Sequence, residues 1–264
     1  MNTTEFLTIS AAIVPDRLAM IFEDSRISFE ELQSRVNRLA NALADLGVGA
    51  GDRVAMLQVN CNQYIEAYFA AAKLDAVFVP INFRTREDEL THMLNDAGPK
   101  AIFAGGRYVN LVKHCAANVE SLQNFITLED DVEGWHSYDA LIENAEDFER
   151  FPEGDGDDLT MILFTSGTTS FPKGVMLTHD SFSSYILSTV TPADPFEEDT
   201  NILTVPLYHI AGVQSVMAAI FGGRTLVIQR QFEAKQWMEL VEQEHATRAM
   251  MVPTMLKMLM DHPE

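Results

Sequence analysis

Residues 161–174 read MILFTSGTTSFPKG and decide how the rest of this 264-residue chain is interpreted. The first four residues are apolar and suit a buried strand, whereas the remainder is rich in hydroxyl side chains and contains glycine. Hydroxyls donate to phosphate oxygens, glycine lets the main chain approach a phosphate closely, and lysine adds a mobile positive charge. The stretch therefore predicts a strand followed by a phosphate-binding loop made by Thr165, Ser166, Gly167, Thr168, Thr169 and Lys173.

The main alternative for a loop with glycine and lysine is the Walker A loop. That loop requires glycine directly before its lysine and serine or threonine directly after it. Pro172 and Gly174 occupy these two positions here, so the Walker A interpretation is excluded. A loop that merely connects two strands would explain any single hydroxyl, but not the whole run.

Strand-like and helix-like segments alternate along the chain. A helix is predicted to begin at Ser28, which forms a capping-box pattern with Glu31, and to end at Gly47. Beyond it, a helix over 63–74 precedes an apolar strand over 77–81. Because parallel strands need crossover connections, the alternation predicts the α/β class, with mostly parallel sheets covered by helices. Core packing is also predicted for Met255, Met258 and Leu259.

An acidic segment divides the sequence into two predicted subdomains. Residues 143–158 read ENAEDFERFPEGDGDD and lack the closing glutamate of a calcium-binding loop, so a solvated linker is predicted. The expected domains are a first α/β subdomain over 1–150 and a second, incomplete α/β subdomain over 151–264 that carries the phosphate loop. No metal-ligating set is predicted.

Charge and composition exclude several classes of function. The net charge is −21, which disfavours nucleic-acid binding and attraction to an anionic membrane. Cys61 and Cys115 lie far apart without metal-ligand spacing, which favours a reducing compartment. The N-terminus has no basic segment before its apolar residues, and no apolar run is long enough for a transmembrane segment. A cytoplasmic location is therefore expected.

Two motifs resemble one known family. The run FTSGTTSFPKGV at 164–175 resembles the ATP-binding signature of the adenylate-forming superfamily, which includes acyl-CoA synthetases, luciferases and peptide-synthetase adenylation domains. Ser170 departs from it, because the family usually has glycine there. The run PLYHIAG at 206–212 resembles the family's second motif, which implies that His209 is catalytic and that His209 and Gly212 line the acyl-substrate pocket. Taken alone, His209 would more often be a hydrogen-bonded core histidine.

The resemblance implies an AMP-forming acid–thiol ligase of fatty acid or aromatic acid metabolism. Such an enzyme uses ATP and Mg²⁺ to convert a small-molecule carboxylic acid to an acyl-adenylate, and then uses CoA as co-substrate to form acyl-CoA. The likeness covers the truncated large N-terminal domain of an adenylate-forming enzyme, in which the C-terminal lysine-bearing domain is absent. The implied partner is the missing C-terminal half, in cis or in trans.

Two other functions remain open from the sequence. One is the adenylation domain of a peptide synthetase, and the other is a non-catalytic remnant that binds a nucleotide or a partner protein. The 264-residue chain alone is expected to be inactive as a ligase and to pair with itself, for example as a homodimer, through surfaces that the second half would cover.

Overall fold

The computed structural model of the protein describes residues 1–129, 131–165 and 171–263. The helices in these residues are α1 (Thr4–Ile13), α2 (Phe29–Asp45), α3 (Asn62–Ala72), α4 (Glu87–Ala97), α5 (Val109–Cys115), α6 (Tyr138–Asn144), α7 (His179–Thr189), α8 (Ile210–Phe221), α9 (Ala234–Gln243) and α10 (Pro253–Met260). The strands are β1 (Leu18–Phe22), β2 (Ser25–Ser28), β3 (Arg53–Leu57), β4 (Val77–Pro80), β5 (Ala101–Ala104), β6 (Asn124–Thr127), β7 (His136–Ser137), β8 (Leu159–Thr165), β9 (Lys173–Thr178), β10 (Thr200–Leu203), β11 (Thr225–Ile228) and β12 (Arg248–Ala249).

The first of two compact units is built on a seven-stranded sheet. The strand order is β7-β6-β5-β3-β4-β8-β9, and every pair is parallel except β8 with β9. All residues of β4 and β5 are buried, as expected for central strands covered on both faces. This unit comprises Met1–Thr4, Ser34–Gln58 and Glu66–Ser183.

The second unit contains a five-stranded sheet. The order is β12-β10-β11-β1-β2, and the only antiparallel pair among these described strands is β1 with β2. Within this unit most of α8 is buried, and Phe6 of α1 packs its ring 5.0 Å from that of Phe221. This unit comprises Glu5–Gln33, Val59–Ile65 and Ser184–Glu264.

The predicted α/β class with mostly parallel sheets is confirmed. The helix predicted from Ser28 is α2, and the Glu31 amide donates to Ser28 Oγ at 3.1 Å, as the capping pattern requires. Gly47 follows this helix with a positive φ of 82°. The helix α1 and the β1–β2 hairpin were missed, because short apolar runs do not distinguish a helix from a strand.

The two units are interleaved along the chain. The boundary predicted between residues 150 and 151 lies inside the first unit. The division into α/β subdomains over 1–150 and 151–264 stays a prediction.

The acidic segment is solvated, as predicted, because no residue over 143–158 is buried. Its main chain is nevertheless bonded to the first unit. Asn41 on α2 donates its side-chain amide to the main-chain carbonyls of Glu146 and Phe148, at 2.7 and 3.0 Å. Farther along, the Asp75 carboxylate accepts the main-chain amide of Glu153 at 2.8 Å. The sequence did not predict these bonds, which satisfy main-chain groups that would otherwise need water.

The predicted core packing of Met255, Met258 and Leu259 is wrong. The helix α10 that carries them has no buried residue in the structure. Met258 is 53% exposed. Apolar residues at helical spacing define one face of a helix, but they do not specify what covers that face.

Cys61 and Cys115 are both buried, and neither is part of a disulfide. In the parts of the chain that the structure describes, no helix combines the length and the apolar character needed to cross a membrane.

His179, the first residue of α7, is the clearest buried histidine. It is 1% exposed, and its Nδ1 accepts the main-chain N–H of Thr3 at 3.2 Å. The Thr3 hydroxyl lies 2.9 Å from the same nitrogen and 2.6 Å from the hydroxyl of Tyr68. Burial lowers the pKa of His179 to about 4, so the ring is neutral near pH 7 and can accept these bonds.

We expect His179 to make stability depend on pH. The folded-state pKa of His179 is lowered from the ordinary value of about 6.5, so the unfolded chain binds the proton more tightly. The stability that the neutral ring contributes is therefore present above about pH 6.5. It is lost as the pH falls toward about 4. The free energy of unfolding of wild type, minus that of His179→Gln, should fall by about 2 kcal/mol between about pH 7.5 and pH 5.

Denaturant unfolding of the two proteins across this pH range measures the difference. His136→Gln is the control, because His136 on β7 is exposed. A difference between wild type and His179→Gln that stays constant with pH would contradict the prediction.

Candidate functional site

The predicted phosphate loop connects β8 and β9, which are paired antiparallel. Thr165 ends β8, Lys173 begins β9, and these two residues are direct cross-strand partners. Side chains of direct partners extend from the same face of a sheet. Both residues are exposed, so the structure brings the Thr165 hydroxyl and the Lys173 ammonium to the base of the loop together.

The middle of this loop cannot be compared with the prediction. Ser166, Gly167, Thr168 and Thr169 lie outside the described residues, as does Ser170. Their assignment to phosphate binding stays a prediction.

Lys173 is available to an anion. Among the described residues, the ion pairs within 4.0 Å involve other cations, and no carboxylate neutralises its ammonium. An ammonium without a carboxylate partner can form a charge-assisted hydrogen bond to a phosphate.

The returning end of the loop is fastened to α4 by His92. The His92 ring donates from Nε2 to the main-chain carbonyl of Pro172 at 3.1 Å, and it stacks on the Phe171 ring with centroids 4.8 Å apart. Sequence reasoning missed His92, because no local pattern links it to a loop 80 residues away. Its contacts fix the segment that leads directly into Lys173.

Gly174 follows the lysine at a close approach. It lies opposite Phe164, and a Cβ at this position would come within 2.8 Å of Ile162 Cγ2. The glycine therefore lets β9 pass under the side chains of β8 immediately after Lys173.

His209, in the second unit, is not a core histidine. Its side chain is exposed, and its ring lies 4.2 Å from the ring of Tyr208. The main chain forms a tight turn, in which the His209 amide donates to the Pro206 carbonyl at 3.1 Å. His209 is then the N-cap residue of α8, so the turn presents its imidazole at the start of that helix.

Gly212 makes this turn sterically feasible. It is buried in the first turn of α8, and its amide donates to the His209 carbonyl at 3.0 Å. A Cβ at this position would lie 2.4 Å from the Pro206 carbonyl oxygen, a main-chain atom that cannot rotate away. The structure thus gives Gly212 a packing role under the turn that carries His209; its place in an acyl pocket stays a prediction.

The AMP-binding enzyme family model matches residues 7–264. The chain belongs to this family. The indoleacetate–CoA ligase of Aromatoleum aromaticum is 30% identical to it over 268 residues, and the long-chain-fatty-acid–CoA ligase FadD13 of Mycobacterium tuberculosis is 32% identical over 270 residues. Each match covers 100% of this chain and 52% of the relative.

Similarity of fold agrees with family membership. The inhibitor-bound N-terminal domain of FACL13 from Mycobacterium tuberculosis matches with a TM-score of 0.91 and 30% identity, covering 100% of this chain and 66% of that chain. The predicted resemblance to adenylate-forming enzymes and to their N-terminal domain is therefore confirmed. This chain spans about half the length of the two ligases that it matches.

Proposed function

We propose that this chain is the N-terminal part of an AMP-forming acid–thiol ligase. It activates a carboxylic acid with ATP to an acyl-adenylate, and the acyl group then passes to the thiol of CoA. The observation that carries the proposal is the pairing of the exposed Thr165 and Lys173 at the base of the loop. Membership in the AMP-binding family and the CoA-ligase relatives support it.

The first half-reaction must overcome repulsion between anions. A carboxylate oxygen forms a bond to the α-phosphorus of ATP, and the bond from that phosphorus to the bridging oxygen breaks, so that pyrophosphate leaves with the electron pair. Catalysis of such a transfer consists mainly of positioning and neutralising charge. We assign Lys173 and the Thr165 hydroxyl to the β- and γ-phosphates, where negative charge accumulates as pyrophosphate departs.

The second half-reaction exchanges one leaving group for another. The CoA sulfur attacks the acyl carbonyl carbon, the bond from that carbon to the AMP oxygen breaks, and the thiol proton is released. The products are acyl-CoA and AMP.

The metal ion belongs to the nucleotide substrate in this proposal. In the described part of the chain, no three His, Cys, Asp or Glu side chains are arranged around a common metal position. A hydroxyl and an ammonium at the base of the loop fit a nucleotide that brings Mg²⁺ on its phosphates. The bound ion would add further neutralisation of the phosphate charge.

We assign His209 to the carboxylic-acid side of the reaction. The exposed ring at the start of α8 is held by a turn whose main-chain bonds run from Pro206 to Gly212. A ring held in this way can hydrogen-bond the acid or its adenylate without a large loss of side-chain entropy.

Lys173→Ala should weaken ATP binding far more than AMP binding. A charge-assisted hydrogen bond to the outer phosphates contributes about 1.5–3 kcal/mol, which corresponds to a loss of about 10–100-fold in ATP affinity. AMP lacks these phosphates and should lose less than about threefold. Calorimetric titration with both nucleotides measures the difference, and Lys113→Ala, an exposed lysine on α5, is the matched control. Equal losses for ATP and AMP would remove Lys173 from the phosphate role.

His209→Ala should slow acyl-adenylate formation by about 10²-fold in the full-length ligase, as loss of one preorganised hydrogen-bonding group typically does. The melting temperature should change little, because the side chain is exposed. Carboxylate-dependent pyrophosphate exchange and a thermal melt are the two measurements, with His114→Ala as an exposed-histidine control. An unchanged exchange rate together with a large drop in melting temperature would show that His209 is structural.

A further inference from the structure

Asn60 lies in the second unit with its side-chain amide fully bonded to main-chain groups. It is 3% exposed. Its Nδ2 donates to the carbonyls of Val205 and Gln229, both at 3.2 Å, and its Oδ1 accepts the amide of Leu207 at 2.9 Å. An asparagine side chain has two N–H donors and one carbonyl acceptor, so these bonds use both donors and the acceptor.

These three main-chain groups stand where the β10–β11 ladder ends. The last ladder bond runs from the Gln229 amide to the Leu203 carbonyl at 3.0 Å. Beyond it, Pro206 has no N–H to donate, and the chain turns toward His209. There the Asn60 amide replaces the hydrogen bonds between strands, because it binds the segment after β10 and the segment after β11.

Two of the residues that Asn60 binds, Val205 and Leu207, belong to the segment that turns toward His209. Leu207 and Val205 flank Pro206, whose carbonyl accepts the His209 amide. The entry to the turn is therefore held by a buried side chain, while the exit is held by α8. Rotation or displacement of the turn would leave polar main-chain groups unsatisfied in a buried setting, which costs about 1–3 kcal/mol for each group.

We propose that Asn60 is a positioning residue for the carboxylic-acid side of the reaction. Its amide fixes the point at which the turn leaves β10, and thereby fixes where the His209 imidazole stands. This inference rests on the proposed role of His209. Asn60 acts through the turn, and the sequence offers no motif that marks it, because its partners lie 145 to 169 residues away.

The competing explanation is that Asn60 only stabilises the fold, and Asn41 provides a matched control. Asn41 is also 3% exposed, and its Nδ2 also donates to two main-chain carbonyls, those of Glu146 and Phe148. Both asparagines should lose similar stability when changed to serine, whereas only Asn60→Ser should affect use of the carboxylic acid.

Steady-state kinetics of the full-length ligase provide the first test. Asn60→Ser should lower kcat/KM for the acid by about 10–100-fold and leave KM for ATP within about twofold, because misplacing a reacting-site group by about 1 Å costs about 10²-fold. Asn41→Ser should leave both parameters within about twofold. Equal effects of the two variants, or an equal loss for ATP and acid, would overturn the inference.

Amide exchange on the 264-residue chain tests the geometry without catalysis. Exchange of the Leu207 amide should accelerate in Asn60→Ser relative to the strand amides of β11, and should be unchanged in Asn41→Ser. Unchanged exchange of the Leu207 amide in Asn60→Ser would overturn the inference. If Asn60→Ser does not fold, Asn60→Gln is used, because it keeps both donors and the acceptor but displaces them by one methylene. Unchanged kinetics for the acid in Asn60→Gln would overturn the inference instead.

A double-mutant cycle separates failure of the inference from failure of the proposed function. If Asn60 acts through His209, the double variant should be no more than about twofold slower than His209→Ala alone. Additive losses would overturn the positioning role and leave that of His209 intact. A wild-type rate for His209→Ala alone would instead refute the proposed role of His209, and the inference with it.

Discussion

Purified by itself, the 264-residue chain is expected to form no acyl-CoA from ATP, CoA and a carboxylic acid. The CoA-ligase relatives are about twice as long as this chain, which matches 52% of each. Loss of a single preorganised donor typically costs about 10²–10³ in rate. We expect the unmatched half of such a ligase to supply several of these groups. We therefore expect a rate below about 10⁻⁴ of that of the full-length enzyme.

Acyl-CoA formation that depends on an added acid measures this activity, and pyrophosphate release reports its first half-reaction. A long-chain fatty acid and indoleacetate are suitable test acids, because they are the substrates named for the two relatives. Supplying the remaining half, fused or in trans, should restore release. Strong CoA ligation by the isolated chain would contradict the prediction.

The product formed by the reconstituted protein separates the ligase from the two alternative functions. Transfer of the acyl group to a carrier-protein thiol, but not to CoA, would favour a peptide-synthetase adenylation domain. Nucleotide binding without turnover, even with the second half present, would favour a non-catalytic binding protein. Acyl-CoA formation by the reconstituted enzyme supports the ligase.

Gly212→Ala is expected to impair both stability and use of the carboxylic acid. The new methyl group would lie 2.4 Å from the Pro206 carbonyl oxygen and 3.0 Å from the Pro206 carbonyl carbon. Because both are main-chain atoms, the turn itself must move, and forcing a methyl into a packed site typically costs about 1–3 kcal/mol. Since His209 is carried by the same turn, kcat/KM for the acid should fall by at least about 10²-fold.

Gly49→Ala is the matched control for this substitution. A Cβ at Gly49 meets no atom within 4 Å, so its stability and kinetics should stay close to wild type. Denaturant unfolding and steady-state kinetics for acid and ATP are the measurements. Wild-type behaviour of Gly212→Ala would show that the turn relaxes freely and does not hold His209 in a fixed place.

Features with local patterns were predictable from the sequence. The strand predicted over 77–81 is β4 (Val77–Pro80), because a short run of β-branched and apolar residues suits a buried strand. The chain on either side of the phosphate loop forms strands as expected, and its first hydroxyl and its lysine are paired. Proline fixes φ and glycine permits a close approach of the two strands, so Pro172 and Gly174 mark this turn in the sequence itself.

Features that depend on distant partners were not predictable. Nothing near His92 indicates that it binds a carbonyl 80 residues away, and nothing near Asn60 indicates that it holds the turn of His209. The acidic segment has the composition of a solvated linker, yet Asn41 binds its main chain. Composition describes side chains, whereas main-chain hydrogen bonds in irregular segments depend on the tertiary fold.

The interleaving of the two units restricts how this protein can change over evolutionary time. Each unit is assembled from three separate stretches of chain. Recombination that exchanges one contiguous piece of a gene would therefore import part of a sheet without its partners. Neither unit can be inherited, excised or shuffled as a single block, and diversification must proceed through substitutions and loop changes within a retained whole.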